Sequence, residues 1–144
     1  MRKQILVLMT AIVFVLALAI AAIAGDPFVG TWKLNLTKSK YYPGPAPKSE
    51  TRVITSQDNG YKTVSDRVSA DGKQKHQEIT STDLDGKYHP VTGQPNFDAA
   101  MARKVDANTI VGARKKDGKV VGNIRNVISK DGKTMTLTLK GKNA

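Results

Sequence analysis

The chain has 144 residues, enough for one domain, and carries 23 Lys and Arg against 12 Asp and Glu for a formal charge of +11. It contains no cysteine, which excludes disulfide cross-links, a thiol nucleophile and lipid attachment through an N-terminal Cys.

The first segment, residues 1–24, reads MRKQILVLMTAIVFVLALAIAAIA. It opens on Arg2 and Lys3, runs apolar from Ile5 and ends Ala22-Ile23-Ala24. A basic head, an apolar stretch and small residues at the last and third-last positions predict a secretory signal peptide cleaved after Ala24. The alternative is an uncleaved anchor, since the apolar run approaches the ~20 residues that span a bilayer. In both cases Arg2 and Lys3 favour the cytoplasmic side, so residues 25–144 are expected to be exported, periplasmic or extracellular. That single domain keeps 21 basic and 12 acidic side chains, a net of +9. Without cross-links it has to rely on a compact, closed core.

From residue 26 onward the pattern is all-β. Asn59-Gly60, Asp71-Gly72, Asp85-Gly86, Asp117-Gly118 and Asp131-Gly132 are tight-turn dipeptides, because Gly, Asn and Asp tolerate positive φ. Between them lie nine short runs, 28–36, 50–56, 61–69, 75–81, 87–91, 99–105, 109–115, 120–129 and 134–140, that read as hairpin-linked strands. In the first run Phe28, Gly30, Trp32, Leu34 and Leu36 share a face, and in the last Met135, Leu137 and Leu139 do so. An antiparallel up-and-down barrel, or a strongly curved meander, resolves the edges of such a set best. The middle runs are more polar. One face of 61–69 carries Val64, Asp66 and Val68, and the other Tyr61, Thr63, Ser65 and Arg67. Either face turned inward brings polar groups with it, at a few kcal/mol each if unpaired. A wet cavity avoids that cost, and so does a poorly covered edge. The 37–49 loop places Pro43, Pro45 and Pro47 after Tyr41 and Tyr42, which favours extended backbone over helix.

Phe28-Val29-Gly30-Thr31-Trp32-Lys33-Leu34 resembles the first strand of the intracellular fatty-acid-binding proteins and the Gly-x-Trp signature of the lipocalins, together the calycins. With Lys38-Ser39-Lys40, Pro43-Gly44-Pro45 and the repeated Asp-Gly-Lys turns, the chain also resembles small exported bacterial proteins described as lipocalin-like. The resemblance implies a barrel whose Trp plugs the closed end and whose cavity holds an amphipathic small molecule. On that reading Phe28 and Trp32 close the barrel, Tyr61 and Met101 line its wall, and Arg103 or Arg125 meets the anionic group. The gate is the 41–47 loop, with Tyr41, Tyr42 and Pro43. The chain departs from the fatty-acid-binding proteins in having no helical lid and no Arg-x-Tyr pair on its last strand. The exported proteins it resembles continue past the equivalent of residues 141–144 into a further strand, so one strand fewer is expected here.

Charge is asymmetric: residues 26–98 hold ten basic and nine acidic side chains, and residues 99–144 hold eleven and three. The second reading is therefore a non-catalytic envelope protein that docks on anionic membrane or on a protein partner through its basic C-terminal half. Nucleic acid fits neither the compartment nor the pattern, which lacks a basic helix and an aromatic RNA-binding signature. Catalysis, a cofactor and a metal are not expected. His76-Gln77-Glu78 supplies only two ligands, His89 stands apart before Pro90, and no Gly-x-Ser-x-Gly elbow exists. The domain is expected to be a monomer.

Overall fold

The computed structural model describes residues 25–81 and 83–141; the predicted leader lies outside them. Nine strands form: β1 Gly30–Lys33, β2 Ser49–Gln57, β3 Gly60–Val68, β4 Gln74–Ser81, β5 His89–Pro90, β6 Ala99–Asp106, β7 Thr109–Lys116, β8 Lys119–Ile128 and β9 Met135–Gly141. Four of the five predicted turns set hairpins; Asp85-Gly86 does not, because it lies between β4 and β5, which fall in different sheets. Asp117 and Gly118 both take positive φ, 49° and 75°, and join β7 to β8 as a two-residue loop between Lys116 and Lys119.

The strands pair antiparallel in two sheets, β1-β2-β3-β4 and β5-β6-β7-β8-β9. Among the described residues no strand pairing joins them, so the expected closed barrel does not form. The reason lies in two of the outer strands. β1 has four residues rather than the nine expected over 28–36. The Leu34 N–H still donates to Glu50 O at 2.9 Å, but Asn35 then caps a 3-10 turn over Leu36–Lys38, its Oδ1 accepting from the Lys38 N–H. β5 has two residues, because Pro90 offers no N–H and the chain turns at Gly86 and Gly93, both at positive φ. An eight-residue β4 therefore finds no partner of its own length in the second sheet.

The sheets are held at one end by side chains. Phe28, only 1% exposed, packs with Ile54 of β2, Tyr61 of β3, Ile110 of β7 and Ile128 of β8, flanked by Trp32, Leu84, Ala102 and Met135. Full burial of an aromatic ring of this size contributes on the order of 2–3 kcal/mol. Trp32 lies half-buried beside it, and its Nε1–H donates to Phe28 O at 3.1 Å. A polar clasp crosses the same end: Tyr61 Oη donates to Asp26 Oδ2, while Lys104 Nζ reaches that oxygen at 3.0 Å and Tyr61 Oη at 3.1 Å. The clasp ties the segment before β1 to β3 and β6 together. Burial raises the Asp26 carboxyl, but hydrogen bonds from Tyr61, the Phe28 N–H and Lys104 outweigh it and leave its pKa below 3.8. Burial and then the Asp26 carboxylate push Tyr61 above its usual 10.0.

Register fixes which faces meet. Ile54 pairs Thr63 and Ser56 pairs Tyr61, so the inward face of β3 is the polar one, Tyr61, Thr63, Ser65 and Arg67. In the second sheet, Arg114 shares an inward row with Ala100, Gly122 and Gly141. Gly112, one row nearer the core, cannot be otherwise: a Cβ there would stand 2.7 Å from Met101 O.

Candidate functional site

The Pro-rich loop returns across the far end of the first sheet. The Lys48 N–H donates to Val68 O at 2.8 Å, and Pro47 is buried against the sheet. The β3–β4 turn is closed from within, Ser69 N–H to Lys73 O and Gly72 N–H to Ser69 O, both 2.9 Å. Between loop and turn opens a cleft of about 420 Å3, walled by Tyr41, Pro45 and Pro47 on one side and by Arg67 and residues of the turn on the other.

The charge in this cleft is one-sided. Arg67, Lys73 and Lys75 line it against a single acid, Asp71. A fourth cation stands at the rim: Lys48 Nζ lies 3.6 Å from where a Cβ would project at Gly72, a position held at φ +85°. Lys73 reaches Asp71 at 3.4 Å, with both side chains mostly exposed, a pair of little strength. Among the described residues Lys75 has no carboxylate within ion-pair distance.

Arg67 connects the cleft to the interior. Its Nη2 and Nε reach Glu50 Oε2 at 2.7 and 2.9 Å, while Arg52 Nε reaches Glu50 Oε1 at 2.5 Å. Glu50 is 5% exposed, so its carboxylate is tenable only because two guanidinium groups pair with it. On the facing sheet Arg114 is half-buried, its guanidinium 4.4 Å from the Phe97 ring centre. Burial, and then repulsion from Arg52, pull the Arg114 pKa downward. Two arginines thus share one buried acid, with Arg114 facing Arg52 from the other sheet, and Arg67 carries the pair's positive charge to the cleft.

The structure separates the residues that the sequence brings together. Phe28 and Tyr61 are buried in the core, and Trp32 packs beside them. The Tyr61 hydroxyl is committed to Asp26 and Lys104, so it forms the closed end rather than a free wall. Met101, Arg103 and Arg125 fall on the opposite face of the second sheet from Ile110 and Arg114: Arg103 pairs Val111, which pairs Arg125. Arg103 and Arg125 are exposed there and face away from any interior, so they are not the inward anion partners. The physical cause is strand parity, which sends Arg114 in and Arg125 out across adjacent strands. Of the gate residues, Tyr41 lines the cleft and Tyr42 is fully exposed. Pro43 is exposed and lies outside the lining.

The histidines lie on the outside. His76 Nδ1 meets Asp66 Oδ1 at 2.6 Å and its Nε2 lies 3.6 Å from Glu78, which also pairs with Lys62 at 3.0 Å. His89 Nε2 meets Asp85 at 3.0 Å. Among the described residues no three His, Asp or Glu are placed to hold a metal ion. No protein-family model, no curated protein and no solved structure matches the chain.

Proposed function

We propose that this is an exported, non-catalytic binding protein for an anionic amphipathic small molecule, held in the cleft under the 41–47 loop. The observation that carries the reading is the cleft itself: apolar Tyr41, Pro45 and Pro47 face Arg67, Lys73 and Lys75 across about 420 Å3. That volume falls within the range of small-ligand sites. An apolar wall opposite a cationic one suits a molecule with a tail and a negative head, and charge-assisted bonds from Arg and Lys supply the orientation. The calycin-like first strand points to the same ligand class by a separate route. In place of a sealed cylinder, this chain would admit its ligand at the open end, away from the Phe28 core.

The test is titration of the purified exported chain with a fluorescent long-chain carboxylate. Saturable uptake, displaced by unlabelled fatty acid and weakened by salt, is expected; a linear, non-displaceable response contradicts the reading.

A second reading has its own observation. Arg103 and Arg125 stand on the exposed face of the second sheet, with Val111 between them in the register. A basic face of this kind suits docking on anionic membrane. Salt-sensitive pelleting with anionic vesicles, abolished by Arg103→Glu with Arg125→Glu, would favour it over the cleft.

A further inference from the structure

The cleft carries more positive charge than a carboxylate needs. Arg67 is half neutralised through Glu50, and Lys73 is loosely paired with Asp71. Lys75, and Lys48 at the rim, add two charges that pair with no carboxylate among the described residues. A monoanionic carboxylate would leave at least one of these exposed cations without an anionic partner. A phosphate monoester, with a charge of about −1.5 to −2 near pH 7 and three acceptor oxygens, matches the surplus. The donor set is suited to it as well. Arg67 presents a planar fork whose position is fixed from behind by Glu50, and the lysines present point charges free to turn toward the remaining oxygens. Tyr41 and Pro45 line the same cleft and offer apolar surface to the attached chain.

We infer that the cleft selects a phosphate monoester headgroup, Arg67 and Lys75 taking the phosphate and Tyr41 with Pro45 taking the start of the tail. This rests on the cleft being the ligand site. The phosphate could belong to a membrane lipid, to a free alkyl phosphate or to inorganic phosphate, and these sources differ in what they would show.

Calorimetric titration of the exported chain with dodecyl phosphate and dodecanoate, both below their micelle concentrations at fixed ionic strength, separates the cases. At pH 8 the phosphate is expected to bind about tenfold more tightly, a preference that fades below about pH 6 as the second phosphate proton returns. In Lys75→Gln, an exposed position outside the core, the preference is expected to fall to about twofold. Inorganic phosphate alone should compete only weakly. Vesicles with phosphatidic acid should outcompete vesicles with phosphatidylglycerol if the lipid is the source, and both should fail to compete if the free ester is. Dodecanoate binding as tightly as dodecyl phosphate would overturn the headgroup assignment and leave the binding function standing. Saturable binding of neither would overturn both.

Discussion

The two ends of the molecule solve opposite problems with the same strands. At the clasped end, Phe28, Ile54, Tyr61, Ile110 and Ile128 exclude water and Asp26, Tyr61 and Lys104 bond to one another, while the buried Asn126 Oδ1, in the row of Ile110, has no hydrogen-bond partner among the described residues. At the open end the inward positions pass from Ile54 to Arg52 and Glu50 along β2, and from Tyr61 to Ser65 and Arg67 along β3. Stability is concentrated where the faces are apolar, and charge where they separate. A fold of this kind can carry spare cations because its core does not depend on them.

The sharpest way to break the comparison is Phe28→Ala. Deleting the ring from the point where both sheets meet should cost about 3–5 kcal/mol, read as a lower midpoint in urea unfolding. Glu50→Gln comes next. It leaves Arg52 and Arg67 facing each other without their shared acid, and because both arginines keep some contact with water the loss should be about 2–4 kcal/mol. A change below 1 kcal/mol would mean that the open end holds no buried charge worth naming.

Tyr61→Phe keeps the ring and removes the clasp's hydroxyl, at about 1–2 kcal/mol. The sign of its pH dependence follows from Asp26. A carboxylate with a depressed native pKa stabilises the fold above its unfolded value, about 4, and that contribution drains away as pH falls through the native value. Tyr61→Phe moves the Asp26 pKa upward, so the gap between wild type and variant should be full above about pH 4 and shrink below it. Unfolding midpoints from pH 2.5 to 6 check this. The smallest effect is at the surface. Hydrogen bonding and charge from Asp66, helped by Glu78, raise His76 above 6.5, so Asp66→Asn should return its NMR titration toward that value with no measurable change in midpoint.

Much of the fold is legible in the chain because alternation and turn residues are local. Four hairpins turn within a residue or two of an Asn-Gly or Asp-Gly pair, β6–β7 turns at Ala107-Asn108 instead, and nine strands appear among the described residues. Closure is not local. It depends on whether outer strands reach full length, and Asn35 and Pro90, each ordinary in its own context, stop two of them short. Of the candidate cleft only the loop was legible, since its lining residues Tyr41, Pro45 and Pro47 fall within the predicted proline-rich loop. The cleft's cations were hidden in hairpin arithmetic. Because Gln57 pairs with Gly60, Glu50 must face Arg67 and sit beside Arg52 on the same face. Arg103 and Arg125 drew attention for their place in the basic half, where net charge carries no information about which face a side chain takes.

The most direct test sets the two basic regions against each other in one assay. With a fluorescent long-chain anion as ligand, Lys75→Glu should raise the dissociation constant at least about tenfold, or 1.4 kcal/mol, while Arg103→Glu together with Arg125→Glu should change it less than about twofold. The reverse order would contradict the account, placing the anion on the outer face of the second sheet and leaving the cleft without a ligand.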